Sequence, residues 1–330
     1  MTKTKMIEVE VEVRDAFNLS DVPQGVTVPG YAEPGPFTPE PEPGYRFRKE
    51  ALSDVLAWFK VGGSDGLFLA GPTGSGKTSL LVETASRLNW PVQRATGHAR
   101  LEFQELVGHH TVIDGDMVFV DGPLTAAMRH GHLFLLDEID LVDPGELAGL
   151  NGIVEGAPLS IPENGGEVVK PAPGFRFAAT GNTAGGGDTT GLYQGAVRQN
   201  LAFMDRFWVI GVGYPDPEDE KAILAEAVPD LPEETRKEMV NVAGEVRRLF
   251  MGGDDAEGEA ALEVTLSTRG LVRWAHLTLF NKGIAARGIS PLHHALDRAL
   301  AFRAEPETRQ ALHDIVQRVF GEGWEVANDG

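Results

Sequence analysis

The sequence predicts an α/β fold in which a parallel sheet is sandwiched by helices, followed by a separate helical domain. Apolar runs typical of buried strands alternate with helical patterns from about residue 46 to residue 213. After the segment Tyr214-Pro215-Asp216-Pro217 the pattern becomes helical throughout. We therefore predict an N-terminal strand and Pro-rich extension at 1–45, an αβα core at 46–213 and a helical domain at 214–330.

The N-terminal region combines a strand pattern with a proline-rich segment. Its first residues alternate charged side chains with Ile7, Val9, Val11 and Val13, which predicts a strand and not a signal peptide. Residues 22–45 contain seven prolines, so this segment is predicted to form neither a regular helix nor a central strand. We interpret it as a tethered extension.

Two segments interrupt the alternation of strands and helices in the core. Residues 111–120 contain two β-type runs around Asp114-Gly115, and residues 159–169 repeat this arrangement around Asn164-Gly165-Gly166. Both predict β-hairpins inserted into the sheet. In the helical domain, the predicted helices are 218–228, 233–250, 270–281, 291–303 and 307–320, and the acidic, glycine-rich link 251–259 is expected to be a mobile loop.

The composition limits the classes of partner. The chain has 330 residues and a net charge of −20, and it has no cysteine. The acidic charge disfavours nucleic acid as a partner, because neutralising phosphates requires clustered Lys and Arg. The missing cysteines exclude disulfides and thiol catalysis, and no apolar run is long enough to span a bilayer. We expect a cytoplasmic protein with no membrane partner.

The strongest motif is a phosphate-binding loop between a predicted strand and a predicted helix. The segment comprises Gly71, Pro72, Thr73, Gly74, Ser75, Gly76, Lys77, Thr78 and Ser79. Its glycines let backbone N–H groups converge on phosphates, the lysine supplies a charge to the β- and γ-phosphates, and the threonine hydroxyl suits Mg²⁺. The loop predicts a nucleoside triphosphate site.

Two carboxylates follow the apolar run at 133–136. Asp137 and Glu138 stand at the end of this predicted buried strand. An apolar run that ends in Asp-Glu is common by itself, but downstream of a phosphate loop it predicts catalytic chemistry. Asp137 is then the Mg²⁺ ligand, and Glu138 polarises the attacking water.

Three further polar residues are candidates for phosphoryl transfer. Asn182 ends another apolar strand, where it orients the lytic water, reads the γ-phosphate or simply forms a turn. Arg206 and Arg269 lie in short apolar contexts. A guanidinium on the developing charge accelerates phosphoryl transfer, although isolated arginines are usually solvated or salt-bridged.

Together, these residues resemble the AAA+ ATPases of the MoxR branch, from about Phe47 to the end of the chain. The resemblance implies ATP and Mg²⁺ as cofactors and assigns the polar sensor to Asn182. It also makes Arg206 the arginine finger presented to the adjacent subunit and Arg269 the second sensor, in a helical lid domain. The hairpins correspond to insertions typical of this branch.

Within the branch, three segments are most similar to the ATPase subunits of aerobic cobaltochelatases: 87–91, 106–108 and 187–195. The last contains Tyr193, which we expect to contact the ring interface or a partner, although by composition alone this loop is an ordinary surface segment.

The resemblance implies a homo-oligomeric ring, a hexamer, that hydrolyses ATP to remodel a partner. In one hypothesis the ring works with a von Willebrand-type partner subunit and a large client enzyme that inserts cobalt into a corrin precursor. In the alternative it is a MoxR-type chaperone that activates or assembles another metalloenzyme or protein complex. A nucleic-acid motor is disfavoured by the acidic charge.

Overall fold

The structure is a computed structural model that describes residues 7–188, 191–252 and 262–321. The chain forms two compact units. The first comprises Met1–Pro72 with Gly76–Val212, and the second comprises Thr73–Ser75 with Gly213–Gly330. No helix in the described ranges combines the length and the apolar character that crossing a bilayer requires.

The first unit is built on a five-stranded parallel sheet. Its strands, and those of three two-stranded sheets around it, are β1 (Glu8–Glu12), β2 (Thr27–Tyr31), β3 (Gly66–Ala70), β4 (Val92–Thr96), β5 (Gly108–Ile113), β6 (Asp116–Asp121), β7 (Leu133–Asp137), β8 (Leu159–Ile161), β9 (Glu167–Val169), β10 (Arg176–Gly181) and β11 (Phe207–Gly211). The order in the main sheet is β11-β3-β10-β7-β4. All four strand pairings in this sheet are parallel.

Helices cover both faces of this sheet. They are α1 (Val13–Ala16), α2 (Lys49–Val61), α3 (Lys77–Arg87), α4 (Phe103–Val107), α5 (Pro123–His130), α6 (Pro144–Leu147), α7 (Asn151–Val154) and α8 (Leu201–Met204). Alternate residues of the strands point to opposite faces: Leu67 and Leu133 pack with α2 and α3, whereas Phe68 and Phe134 pack with α5 and α7. Covering both faces explains why β3 and β7 are continuous apolar runs.

Both predicted hairpins are present. Strands β5 and β6 pair antiparallel from Gly108↔Asp121 to Ile113↔Asp116. Asp114 and Gly115 connect them with φ angles of 54° and 93°. Positive φ at both positions is typical of the tight turn that matches the twist of a hairpin. Strands β8 and β9 form the second hairpin.

The N-terminal extension packs on the core and contains a strand that the proline pattern concealed. Strand β2 pairs antiparallel with β1 and includes Pro29, which a two-stranded sheet can accommodate because not every backbone N–H is needed for pairing. The Tyr31 N–H donates to the Leu88 carbonyl at 2.9 Å, and the Val92 N–H donates to the Phe37 carbonyl at 2.8 Å. The extension therefore contacts the chain between the end of α3 and the start of β4.

The second unit is helical. Its helices are α9 (Pro217–Ala227), α10 (Glu233–Met251), α11 (Thr268–Phe280), α12 (Pro291–Ala299) and α13 (Pro306–Phe320). They enclose a separate apolar core around Trp274 and Leu296. The predicted α/β core with hairpin insertions and a C-terminal helical domain is confirmed. Most of the predicted link 251–259 lies outside the described residues.

A buried ion pair joins α9 to α10 in the second unit. Arg247 donates from Nη1 and Nη2 to both carboxylate oxygens of Glu220, at 2.6 and 2.8 Å, and from Nε to the Leu266 carbonyl at 2.7 Å. The Thr268 hydroxyl donates to Glu220 Oε1 at 2.8 Å. Only 6% of the Arg247 side chain and 1% of the Glu220 side chain are exposed. Each charge is thus compensated within the helical core.

We expect Glu220→Gln to destabilise the second unit by about 3–5 kcal/mol, because Arg247 would remain buried without its counter-charge. Calorimetric unfolding measures this as a lower transition temperature. The control is Lys237→Met, which removes a lysine from a solvent-exposed ion pair with Glu234 and should leave the transition unchanged. A wild-type transition in Glu220→Gln would contradict a stabilising role for the pair.

Candidate active site

The strand order brings three polar strand ends to one edge of the parallel sheet. Strand β10 lies between β3 and β7, with Gly181 level with Ala70 and Ala179 level with Leu136. The phosphate loop follows β3, Asp137 and Glu138 lie at the end of β7, and Asn182 follows β10. Carboxyl ends of parallel strands are the usual place for ligands in open α/β sheets.

The phosphate loop uses glycine conformations that other residues rarely adopt. Gly74 and Gly76 have φ angles of 72° and 87°, and Gly76 caps the N-terminus of α3. Left-handed backbone at these positions costs glycine little, whereas a Cβ would introduce strain. The loop thus turns directly into α3, and the first N–H groups of a helix are suited to binding an anion.

Lys77 connects this loop to the end of β10. Its Nζ donates to the carbonyls of Gly71 and Pro72 at 2.7 and 3.1 Å and to Asn182 Oδ1 at 3.0 Å. The residue is only 8% exposed. Burial lowers the pKa of Lys77, and the nearby carboxylates of Asp140, Asp137 and Glu138 oppose this effect. Its ammonium group therefore lies among acidic groups at the sheet edge.

A hydrogen bond joins the side chains of Thr78 and Asp137. The Thr78 hydroxyl donates to Asp137 Oδ1 at 2.6 Å, and the Thr180 hydroxyl donates to the same oxygen. Thr180 also accepts the backbone N–H of Glu138 at 3.1 Å. A hydroxyl and a carboxylate at this distance are hard oxygen ligands of the type that Mg²⁺ binds. The residues therefore fit such an ion.

Glu138 has an unusual backbone conformation. Its φ and ψ angles are 57° and 42°, a left-handed region that non-glycine residues enter mainly at turns and functional sites. Its side chain is exposed. Partial desolvation of its carboxyl group and the charges of Asp137 and Asp140 raise the pKa of Glu138, against the effect of Lys77 and Arg94. A raised pKa makes a carboxylate a better proton acceptor.

Asn182 is held in place by a buried carboxylate. Asp140 lies in the short 3₁₀ turn Ile139–Leu141 and is completely buried. Its Oδ2 accepts the backbone N–H groups of Asn182 and Thr183 at 2.7 and 3.1 Å. These contacts couple the end of β10 to the segment that carries Asp137 and Glu138.

Of the two candidate arginines, Arg206 lies away from this cluster within the first unit. Arg206 immediately precedes β11, whose Phe207 is level with Gly66 at the start of β3. Arg206 therefore lies at the amino-terminal ends of the strands, opposite the end that carries the phosphate loop. Its Nε contacts Glu155 Oε1 at 3.2 Å, and its Nη1 donates to the Ala202 carbonyl. Arg269 belongs to the second unit, where it is the exposed second residue of α11.

Comparisons with known proteins identify the family of this chain. Residues 66–219 match the AAA domain model of the dynein-related subfamily. Residues 220–319 match the CbbQ/NirQ/NorQ C-terminal model. The aerobic cobaltochelatase subunit CobS of Sinorhizobium sp. is 31% identical over 277 residues, which cover 81% of this chain and 80% of that protein. The chain belongs to the AAA+ ATPases of the MoxR branch.

Two further relatives of this AAA+ ATPase come from staphylococci. An uncharacterised protein of Staphylococcus haemolyticus (strain JCSC1435) is 26% identical over 82% of this chain and 96% of its own length. One of Staphylococcus epidermidis (strain ATCC 35984) is 29% identical over 78% of this chain and 91% of its own length. The family establishes ATP binding and hydrolysis, whereas the roles of individual residues remain predictions.

Sequence reasoning missed three residues of the ATPase site. Thr180 and Asp140 contact the phosphate-site cluster, and Arg94 donates to Asp137 from the neighbouring strand. Asp140 gave one local signal, since it is a carboxylate within an otherwise apolar segment from 139 to 142. Thr180 and Arg94 had none, because only strand pairing brings them to Asp137.

The loop after Asn182 is ordered by Asp188 in the part that the structure describes. Asp188 accepts the backbone N–H groups of Gly191 and Tyr193 at 2.8 and 2.9 Å. Thr189 and Thr190, which belong to the segment that is most similar to cobaltochelatase subunits, lie outside the described residues. A contact of Tyr193 with the ring interface or a partner therefore stays a prediction.

Proposed function

We propose that this AAA+ ATPase is a Mg²⁺-dependent, ring-forming subunit that couples ATP hydrolysis to the remodelling of a protein partner. The observation that carries the proposal is the convergence of Lys77, Thr78, Asp137 and Asn182 at one sheet edge, with direct contacts between them. Each group has the chemistry that one part of Mg·ATP requires. The variants Lys77→Ala and Glu138→Gln test the site.

Binding of the triphosphate uses the loop and the start of α3. Backbone N–H groups of the loop and the helix N-terminus attract the phosphate oxygens. Lys77 neutralises charge on the β- and γ-phosphates, a role that its position among carboxylates at the sheet edge supports. Asn182 would orient the γ-phosphate or a water, and its hydrogen bond with Lys77 supports this role.

Thr78 and Asp137 would hold Mg²⁺, which when bound neutralises the developing phosphate charge. Glu138 accepts a proton from the attacking water. Its exposed carboxylate and raised pKa support this role. The hydrogen bond of the Glu138 N–H to Thr180, which also contacts Asp137, keeps the base beside the metal ligand.

We expect Glu138→Gln to bind ATP but to lose about 100-fold or more in kcat, because the amide cannot accept the proton of water while Asp137 remains. Steady-state hydrolysis and nucleotide-binding assays measure the two effects separately. Glu226→Gln, on the exposed face of α9, is the control and should hydrolyse ATP normally. A normal rate in Glu138→Gln would remove Glu138 from the mechanism.

The position of Arg206 supports a ring. From Gly66 to the phosphate loop, β3 extends for five residues, about 15 Å, so Arg206 is too far to reach the phosphates of its own chain. A guanidinium at that edge can serve the nucleotide of a neighbour, as an arginine finger supplied in trans does. We therefore propose a closed homo-oligomer, a hexamer, with active sites between subunits. From the resemblance to the family, we also propose Arg269 as the second sensor.

The first candidate client is a cobaltochelatase. This candidate is supported by the CobS relative, a subunit of aerobic cobaltochelatase by name. The chain would then act with a von Willebrand-type subunit and a large enzyme that takes Co²⁺ and a corrin precursor as substrates. Reconstitution of the three proteins should give ATP-dependent cobalt insertion that stops when Glu138→Gln replaces the wild-type ATPase.

The second candidate is a chaperone of the MoxR type that activates another metalloenzyme or assembles a complex. The match of residues 220–319 to the CbbQ/NirQ/NorQ C-terminal model favours it, since that model bears names other than those of chelatase subunits. Failure of cobalt insertion, together with ATP-dependent activation of a different enzyme, would favour this function. In both cases the ATPase site works alike and the client differs.

A further inference from the structure

Arg94 contacts the carboxylate that we propose as the Mg²⁺ ligand. It lies on β4, the edge strand next to β7, with Arg94 level with Leu135 and Thr96 level with Asp137. Its Nη2 donates to Asp137 Oδ2. The two threonine hydroxyls of the site both donate to the other oxygen, Oδ1. Both carboxylate oxygens therefore already accept hydrogen bonds from side chains.

In this arrangement the Arg94 guanidinium and Mg²⁺ would compete for the Asp137 carboxylate. Although burial raises the pKa of Asp137, hydrogen bonds from Thr180, Thr78 and Arg94 together lower it. The same contacts that favour the charged carboxylate also occupy about three of its four lone-pair positions. Mg²⁺ requires near-ideal octahedral geometry with little tolerance for displaced ligands. A positive charge beside the site also repels a cation.

We propose that Arg94 competes with Mg²⁺ for the Asp137 carboxylate and so sets the Mg²⁺ concentration at which the ATPase binds nucleotide tightly. This inference rests on the proposed role of Asp137 in metal binding. About half of the Arg94 side chain is exposed, 51%, and β4 is the edge strand of the sheet. The guanidinium can therefore leave Asp137 toward solvent without disturbing the core.

The test is a Mg²⁺ titration of nucleotide binding in wild type and Arg94→Gln, followed with a fluorescent ATP analogue. Without the guanidinium, the Mg²⁺ concentration for half-maximal tightening should fall roughly threefold to tenfold, as expected for a partly exposed charge interaction. Affinity for the analogue in EDTA should be the same in both proteins. This readout does not depend on turnover.

Two further variants isolate the contact. Arg100→Gln removes the same charge from an exposed position six residues further along the chain and should keep the wild-type Mg²⁺ dependence. Arg94→Lys retains the charge but not the planar donor pair, so we expect a smaller reduction, roughly twofold. It provides the comparison if Arg94→Gln proves unstable in thermal unfolding.

The outcomes distinguish this inference from the proposed function. If wild type tightens its binding with Mg²⁺ and Arg94→Gln requires as much Mg²⁺ or more, the competition is refuted while the metal site stands. Weaker analogue binding by Arg94→Gln in EDTA would show that Arg94 contacts phosphate instead. If Mg²⁺ does not affect nucleotide binding by wild type, both the metal role of Asp137 and the competition fail.

Discussion

Arg206→Ala should bind ATP with wild-type affinity and lose turnover by roughly three orders of magnitude, the effect of removing an arginine finger. The physical reason is the separation of Arg206 from its own phosphate loop by the full length of β3. Its guanidinium would stabilise charge on the γ-phosphate of the adjacent subunit and would not contribute to binding within its own chain. Hydrolysis and nucleotide-binding assays on assembled protein measure the two effects.

The matched control for Arg206 is its intrachain partner. Glu155→Ala breaks the same ion pair but leaves the guanidinium, so it should retain turnover if the arginine acts on a neighbour. If the pair has only a structural role, Glu155→Ala and Arg206→Ala should be equally impaired. Comparing the two variants decides between a finger and a salt bridge.

Mixed assemblies test action between subunits directly. A ring of Arg206→Ala and Glu138→Gln subunits contains interfaces in which an intact Glu138 faces an intact Arg206. We therefore expect partial recovery of hydrolysis on mixing, although each variant alone is inactive. Mixed rings that demonstrably form and stay inactive would contradict the assignment, and so would full activity of a dilute monomer.

Lys77→Ala should abolish ATP binding at working concentrations, with a loss of roughly 100-fold or more in affinity. The mutation removes a charged donor from the phosphates, and hydrogen bonds to charged groups contribute about 1.5–3 kcal/mol each. The fold should persist, because Lys77 contacts the phosphate loop and Asn182 and is not part of the apolar core. Calorimetric titration with ATP measures the affinity.

The control for this prediction is Lys60→Ala. Lys60 also donates to a backbone carbonyl, that of Thr27 at 2.6 Å, but it lies at the end of α2, outside the phosphate loop. The Lys60→Ala variant should bind ATP as wild type does. Wild-type affinity in Lys77→Ala would refute the phosphate site, and similar losses in both variants would point to a general effect on the fold.

Much of the architecture was predictable because its causes are local. The continuous apolar run of β7 indicated a strand buried on both faces, and Asp114-Gly115 indicated the turn of a hairpin. By contrast, β2 was missed, because Pro29 argues against a strand unless the partner and the position in the sheet are known.

The sequence by itself determined the chemical parts of the site. The glycines, Lys77 and Thr78 are adjacent in the chain, as are Asp137 and Glu138, so covalent geometry alone keeps each group together. These patterns were sufficient to predict ATP binding and an ATPase of the MoxR branch.

Only the tertiary structure decided how these parts meet. Placing β10 between β3 and β7 brought Thr180 to Asp137 and Asn182 to Lys77, and adding β4 at the edge brought Arg94 to the same carboxylate. The same sheet placed Arg206 at the opposite, amino-terminal ends of the strands. Strand order depends on long-range packing and backbone pairing, which residues distant in the chain establish only when the sheet forms.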